Sequence, residues 1–208
     1  MLNNTLYILR GLKIIWLLYA ITMIFSIPLG ILFSLGRVSK YKFINGAIQV
    51  YTWVFRGTPL LLQLFFVYYG FPVFGVVLSP FVAACITFIV NYAAYFCEIF
   101  RGSILGIDQG QYEAAKVLGM SYSQTMYRIV LPQALITALP PLSNEGISLI
   151  KDISLISVIS MHDILRNAKE IFAREFSIVP FVICAVIYLC LSTIVVLFFK
   201  KLEKKVNI

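Results

Sequence analysis

Long apolar runs set the strongest limit on how this 208-residue chain folds. Hydrophobic side chains make up 61% of the residues and charged side chains 12%, against the ~25% charged residues usual for soluble domains. The mean hydropathy is +0.92. A helix needs roughly 20 consecutive apolar residues to cross a bilayer, and several runs reach that length. The sequence therefore predicts an all-α membrane protein rather than a soluble protein with buried helices.

Five runs are predicted to cross the membrane within a single transmembrane domain over residues 1–208. The predicted spans are 12–36, 59–77, 80–106, 133–159 and 176–199. An interfacial or tilted helix leads into the second span. Arg56 is interpreted as an interfacial anchor for the turn that follows it, where Pro59 breaks the apolar run.

The basic residues predict the orientation, because Lys and Arg collect on the cytoplasmic flanks of spans. The C-terminal stretch 200–205 is therefore assigned to the cytoplasm, and five crossings place the N-terminus outside. The segment 37–42 then falls inside and 162–175 outside, whereas Arg10 and Lys13 oppose the assignment. Topology accounts for most of the net charge of +8, so nucleic-acid binding is not predicted.

Motifs for catalysis, metal binding and secretion are not found. The four cysteines lie in apolar runs without CxxC spacing, and His162 is the only histidine. A metal site and a disulfide framework are therefore not expected. The chain has no P-loop and no Ser/His/Asp arrangement, so we expect no catalytic residues and no cofactor bound by this chain. The N-terminus leads directly into a full-length span, which argues against a cleaved signal peptide.

A half-polar stretch at 108–132 interrupts the apolar pattern. Asp108 can cap a short helix, with Gln111 in the reciprocal position, and Gly119 can end that helix in a left-handed conformation. Ser121, with Gln124 three residues later, has the same capping pattern. The sequence predicts two helices joined by a sharp glycine turn at the cytoplasmic face.

Apolar side chains are predicted at the water-facing surface of this stretch, namely Met120, Met126 and Tyr127. They indicate either a partner surface or a helical hairpin that lies on the lipid headgroups.

The stretch "EAAKVLGMSYSQTMYRIVLP" (113–132) resembles the EAA loop of ABC-importer permeases. The pattern of that loop is E-A-A, three residues, G, nine residues, I, one residue and L-P. The matching residues are Glu113, Ala114, Ala115, Gly119, Ile129, Leu131 and Pro132. In addition, "FRGTPLLLQLFFVYYGFP", "NYAAYFCEIFRGSI" and "LPPLSNEGISLIKDISLISVI" are similar to the second, third and fourth spans of the polar amino-acid importers.

The resemblance implies the type I ABC importer permease fold in a bacterial inner membrane. The EAA loop would be the coupling helix that fits a groove on a cytoplasmic ATPase. The implied coupling residues are Glu113, Ala114, Ala115, Gly119, Met120 and Ser121. The implied partners are two ATPase subunits, which carry ATP and Mg, and an extracytoplasmic amino-acid-binding protein. Because five spans are too few to enclose a path, a second permease subunit is also expected, either identical or a sister chain.

Ionisable residues at span depth are rare and usually mark function. Glu145, Ser148 and Asp152 share one face of the predicted fourth span, and the two carboxylates are separated by ~10 Å along the helix. Asn144 lies on an overlapping stripe. The hypothesis is that this face lines a pocket for a polar amino acid.

Two further residues, Asn91 and Tyr95 of the third span, are predicted to face the same pocket. Two carboxylates so placed suit a substrate with two cationic centres, such as arginine or lysine. The alternative is that Asp152 pairs with Lys151 and only stabilises the bundle.

Glu98 and Arg101 form a predicted i, i+3 pair, interpreted as structural with a gate as the alternative. Two other functions also remain open. One is an ion-coupled secondary transporter that uses Glu145 and Asp152 as proton or sodium sites. The other is a non-catalytic assembly subunit of a membrane complex.

Overall fold

The computed structural model describes residues 2–206, and this part of the chain is helical almost throughout. The α-helices are α1 (Leu2–Leu9), α2 (Leu12–Arg37), α3 (Lys42–Gly57), α4 (Leu60–Phe65), α5 (Pro80–Leu105), α6 (Gln109–Val117), α7 (Tyr122–Thr125), α8 (Leu131–Thr137), α9 (Leu139–Asp152), α10 (Ile164–Glu175) and α11 (Val179–Lys205). Two π-helical turns (Phe66–Gly70, Met126–Val130) and two 3-10 helices (Phe71–Phe74, Ile153–Ile159) extend α4, α7 and α9. The ends of the predicted domain, Met1, Asn207 and Ile208, lie outside the described residues.

Within the described residues, three helical segments are long and apolar enough to cross a membrane. They are Asn3–Arg37, Pro80–Leu105 and Val179–Lys205. A fourth candidate is a broken span, in which Lys42–Gly57 and Leu60–Phe74 meet at a bend of 102°. The all-α membrane class is therefore confirmed, and the count of five crossings stays a prediction.

The observed helices differ from the predicted spans where proline and π-helical turns interrupt the regular α-helix. The predicted break between the lead-in helix α3 and the second span is present at Pro59, which is extended at ψ 133°. The second span, predicted over 59–77, is regular α-helix only in α4 and continues as a π-helical turn and a 3-10 helix to Phe74. The stretch predicted as the fourth span, 133–159, is divided among α8, α9 and a 3-10 helix. The first and third predictions agree with α2 and α5 to within one residue. The fifth helix, α11, begins at Val179 rather than at 176 and continues to Lys205.

Small residues hold α2 against α5 at the centre of the bundle. Along α2, the buried positions Thr22, Ser26, Gly30 and Ser34 recur every four residues and so form one face. A Cβ atom on Gly30 would lie 2.6 Å from the Cβ of Phe96, so glycine is required there. Small residues of this kind allow close helix approach in membranes, where packing replaces the hydrophobic effect.

Polar side chains connect α1 to α10 across the length of the sequence. The Tyr7 hydroxyl donates a hydrogen bond of 2.6 Å to Glu170, and the Asn167 amide donates one of 3.0 Å to the Tyr7 carbonyl. Asn4 donates to both carboxylate oxygens of Glu175 at 3.0 and 2.9 Å. These bonds fix the N-terminal helix against a segment near the other end of the chain.

The predicted helix–turn–helix is confirmed over α6 and α7. Gly119 joins the two helices with φ +70°, a left-handed conformation that glycine adopts without strain. Ser121 and Gln124 form the reciprocal capping box at 3.3 and 2.8 Å. The Asp108 side chain caps α6 by accepting a hydrogen bond from the Gly110 N–H. The Gln111 side chain accepts a hydrogen bond from the Gln133 side chain, so it does not complete a capping box with Asp108.

Candidate functional site

A polar cavity of about 650 Å³ lies where the broken helices α3 and α4 meet α5 and α9. Its volume falls within the ~300–1,000 Å³ typical of small-molecule sites. Its polar lining side chains are Arg56, Thr58, Asn91, Tyr92, Tyr95, Glu145, Ser148 and Asp152. We call it the central cavity.

Five of the six predicted pocket residues line the central cavity together, namely Asn91, Tyr95, Glu145, Ser148 and Asp152. The sixth, Asn144, does not line it and is exposed. Asn144 immediately precedes Glu145 on α9, and successive residues of a helix point about 100° apart. The structure therefore separates Asn144 from the rest of the predicted set.

Asn91 closes the break between α3 and α4. Its side-chain amide donates to the Phe55 carbonyl at 2.9 Å and to the Gln63 side chain at 3.0 Å. Gln63 in turn donates to the hydroxyl of Thr58 at 2.8 Å. The last carbonyls of a helix have no partner within that helix, so these amides stabilise the bend that shapes the cavity wall.

Asp152 is held by a tyrosine rather than by the neighbouring lysine. The Tyr92 hydroxyl donates to Asp152 at 2.8 Å, and Tyr92 is only 2% exposed. No ion pair of the described residues joins Asp152 to Lys151, which lines a different cavity with Tyr188. Sequence reasoning missed Tyr92, although a tyrosine in an apolar run indicates that its hydroxyl needs a partner.

Arg56 also lines the central cavity, a position that its interpretation as an interfacial anchor did not include. Its guanidinium lies 5.4 Å from the centre of the Tyr95 ring, a cation–π arrangement. The bend after Gly57 turns this side chain toward α5 and α9. The cavity thus contains one guanidinium and two carboxylates, an arrangement that can bind a ligand with both positive and negative groups.

The predicted Glu98–Arg101 pair is present, and a third charge joins it. Glu98 accepts from Arg101 at 2.7 Å and from Arg37 at 3.3 Å. Arg37 was predicted only as a basic flank of the first span. Its side chain is 12% exposed, because it contacts Asn45 and Gln49 of α3 as well as Glu98 of α5.

The helix–turn–helix exposes a second candidate surface. Of the predicted coupling residues, four are exposed, Ala115 is buried and Met120 is half-buried. The exposed four are Glu113, Ala114, Gly119 and Ser121. Val117 and Leu118, which sequence reasoning did not single out, are 87% and 77% exposed beside the turn. This apolar surface at a helix turn indicates a protein partner.

Met126 is not part of that surface, contrary to the sequence prediction. It is 5% exposed and packs with Ile104, Ile107, Val130 and Ala134. The π-helical turn that begins at Met126 directs this side chain inward and leaves Tyr127 62% exposed.

Comparison with known proteins places the chain in one family. Residues 26–208 match the model of the binding-protein-dependent transport system inner membrane component. The chain is 44% identical to the L-cystine transport system permease protein TcyB of Bacillus subtilis (strain 168), over 81% of this chain and 73% of that protein. It is 38% identical to the arginine transport system permease protein ArtQ of the same organism, over 97% and 93%.

A solved structure has the same fold. A structure of an amino acid ABC transporter with histidines superimposes with a TM-score of 0.91 at 32% identity, over 99% of this chain and 96% of that chain. The fold, the exposed helix–turn–helix and these matches lead to one assignment. The chain belongs to the family of binding-protein-dependent transport system inner membrane components.

Proposed function

We propose that this chain is the permease subunit of an ATP-driven importer that carries a polar amino acid across the bacterial inner membrane. The observation that supports this most directly is the central cavity, which Arg56 lines together with Glu145 and Asp152. Relatives are named for cystine and arginine transport, which fits a substrate that carries both charges. Family membership favours this function over an ion-coupled transporter or an assembly subunit.

Different charged residues of the central cavity bind the two charged groups of a zwitterionic amino acid. Arg56 binds the α-carboxylate, and one of the two carboxylates, Glu145 or Asp152, binds the α-ammonium group. The other carboxylate is then available for a cationic side chain, so a basic amino acid such as arginine or lysine satisfies all three groups. Tyr92 orients Asp152 through its hydrogen bond, and Ser148 and Tyr95 supply polar and aromatic contacts.

The other components of the proposed transporter are partner proteins. Two ATPase subunits, which hold ATP and Mg, dock on the exposed helix–turn–helix at 109–125, on the cytoplasmic side. A second permease subunit, identical or a sister chain, completes the path, and an extracytoplasmic binding protein delivers the amino acid. The N-terminus lies outside and the C-terminus inside. Closure of the ATPases moves the two coupling helices together, and the bundle alternates between outward and inward access.

Purification of the complex tests the coupling surface. We expect a P-loop ATPase to co-purify with the parent chain and to be lost from Gly119→Trp and Glu113→Lys, because both changes alter exposed positions of the helix–turn–helix. Gly75→Trp is the matched control, because Gly75 also has positive φ and open space around it but precedes α5, at the opposite end of that helix from α6.

Uptake by the reconstituted complex tests the substrate. We expect ATP-dependent accumulation of labelled L-arginine, L-lysine or L-cystine. Uptake driven by an ion gradient in the absence of the ATPase would contradict the proposed function.

A further inference from the structure

A second polar cavity of about 360 Å³ adjoins the central cavity. Its polar lining residues are Arg37, Gln49, Thr52, Arg56 and Glu98. The two cavities share Arg56 and Gly57, the last two residues of α3 before the bend. We call this second space the α3 cavity.

The α3 cavity has an excess of positive charge. Arg37 and Arg101 both pair with the single carboxylate of Glu98, and no ion pair of the described residues satisfies Arg56. The guanidinium groups of Arg37 and Arg56 thus line this cavity with a single carboxylate, which Arg101 also contacts without lining the cavity. The side chains of Arg37 and Glu98 are only 12% and 13% exposed, so water screens these two charges weakly, whereas Arg56 is exposed. An anionic group is the ligand that this arrangement favours.

The α3 cavity lies between the central cavity and the helix–turn–helix. On α5, Glu98 follows the central-cavity residue Tyr95 by three residues, about 4.5 Å along the axis. Arg101 follows in the same direction, and α6 begins after the end of α5. A molecule that moves from the central cavity toward the helix–turn–helix therefore passes Arg56 and meets Arg37 next.

We infer that the α3 cavity is an exit subsite that binds the α-carboxylate of the transported amino acid as it leaves the central cavity. Because Arg56 lines both cavities, it can stay in contact with the α-carboxylate while the substrate moves from the central cavity into the α3 cavity. The inference rests on the proposed function, because it takes an amino acid as the ligand. The phosphate of an anionic lipid is also an anionic group that arginine binds. The test therefore distinguishes binding of the amino-acid carboxylate from binding of a lipid phosphate.

Gln49→Glu is the informative variant. Gln49 is exposed, and its side-chain oxygen lies 3.4 Å from an Arg37 nitrogen. A carboxylate at this position competes with the ligand for Arg37 without changing the size of the side chain. Gln133→Glu is the matched control, since Gln133 lines neither cavity and the charge change is the same.

The experiment measures binding of labelled L-arginine to the ATP-free permease–ATPase complex in nanodiscs, by equilibrium dialysis. The parent and Gln133→Glu are expected to show a tight and a weak site on each permease chain. Gln49→Glu is expected to weaken the weak site at least about tenfold while the tight site is unchanged, because one opposite charge offsets the local excess. L-argininamide, which lacks the carboxylate, should not compete for the weak site.

Two kinds of nanodisc, phosphatidylcholine alone and phosphatidylcholine with phosphatidylglycerol, distinguish an amino-acid carboxylate from a lipid phosphate as the ligand. A weak amino-acid site in both lipids supports the exit subsite. If the effect of Gln49→Glu appears only with phosphatidylglycerol, the ligand is a lipid phosphate and the inference is wrong. If each chain has a single site and Gln49→Glu leaves it intact, the exit subsite is wrong and the proposed function still stands. If the parent binds neither L-arginine nor L-cystine, both the exit subsite and the proposed function are wrong.

Discussion

At the scale of single residues, the central cavity depends on how its charged groups are held. Asp152 is fixed by Tyr92 at 2.8 Å, and Arg56 lies over the ring of Tyr95 at 5.4 Å. Both contacts position a charge while leaving it without an ion-pair partner among the described residues. Such charges are free to bind a substrate, in contrast to Glu98, which two arginines already satisfy.

Glu145→Gln and Asp152→Asn test the carboxylates directly. Each change removes one charge-assisted interaction, worth about 1.5–3 kcal/mol, so we expect about ten- to a hundredfold weaker binding of a basic amino acid. Uptake of labelled arginine and lysine by the reconstituted complex provides the measurement. Glu203→Gln, which removes a carboxylate near the end of α11, is the control. Unchanged arginine and lysine uptake in both cavity variants would remove these two residues from the site.

Helical spacing was sufficient to predict most of the central cavity. The period of 3.6 residues groups Glu145, Ser148 and Asp152 on one face, and Asn91 with Tyr95 on another. Asn144 was included because it lies four residues before Ser148 on an overlapping stripe, although it points about 100° away from Glu145. Arg56 was missed for a different reason. Its position in the cavity depends on the bend between α3 and α4, and periodicity within one helix carries no information about that bend.

At the scale of helices, the contact between α2 and α5 organises the bundle. The small residues of α2 allow the backbones to approach, and Ser26 donates to the Ile89 carbonyl at 3.0 Å. Because α5 carries Asn91, Tyr92 and Tyr95, the position of α2 fixes one wall of the central cavity.

Gly30→Ala is expected to destabilise this contact, because the added methyl group lies 2.6 Å from the Phe96 Cβ. Overpacking costs typically about 1–3 kcal/mol, and for a chain of this size the unfolding midpoint falls by ~2–4 °C per kcal/mol. Gly46→Ala is the matched control: Gly46 is also inside a helix, but apart from the local backbone of that helix no atom lies within 4 Å of an added Cβ. Thermal unfolding of both variants in detergent gives the comparison, and equal midpoints would show that the approach at Gly30 is not tight.

The sequence predicted the bounds of α2 and α5 and the break at Pro59, but not the divisions of the 133–159 stretch. Uninterrupted apolar runs predicted α2 and α5 to within one residue. The 133–159 stretch was also read as one span, but Leu139–Pro140–Pro141 begins a new helix there and the chain continues as a 3-10 helix after Asp152. Proline restricts the residue before it and lacks a donor, so sequence indicates a weak point without giving the geometry that results.

At the scale of the whole molecule, the junction between α1 and α10 connects the two ends of the fold. Glu170 accepts hydrogen bonds from Tyr7 at 2.6 Å and Arg166 at 3.0 Å, and His162 lies 3.6 Å away. The hydrogen bond from Tyr7 is the main cause that lowers the pKa of Glu170, with Arg166 adding to it and burial opposing it. A carboxylate with a lowered pKa stabilises the fold above its unfolded pKa of ~4.3 and loses that contribution as the pH falls through the folded value.

Acidification therefore tests this junction. As the pH falls from above the unfolded pKa of ~4.3 through the lower folded pKa of Glu170, the unfolding midpoint of the parent should fall more than that of Glu170→Gln, which has no charge to lose. Tyr7→Phe should also reduce the pH dependence, because it removes the main cause of the lowered pKa. Tyr69→Phe, at an exposed tyrosine outside the junction, is the control. Equal acid sensitivity in all four proteins would place the pH dependence elsewhere.

The same junction also has a consequence for biosynthesis. Tyr7 and Glu170 are 163 residues apart, so the first helix leaves the ribosome long before its anchor has been translated. Until then, α1 has only the bilayer and the following helix to hold it. A nascent chain arrested before α10 should therefore remain open to protease at its N-terminal helix, and protection should appear only when synthesis is almost complete.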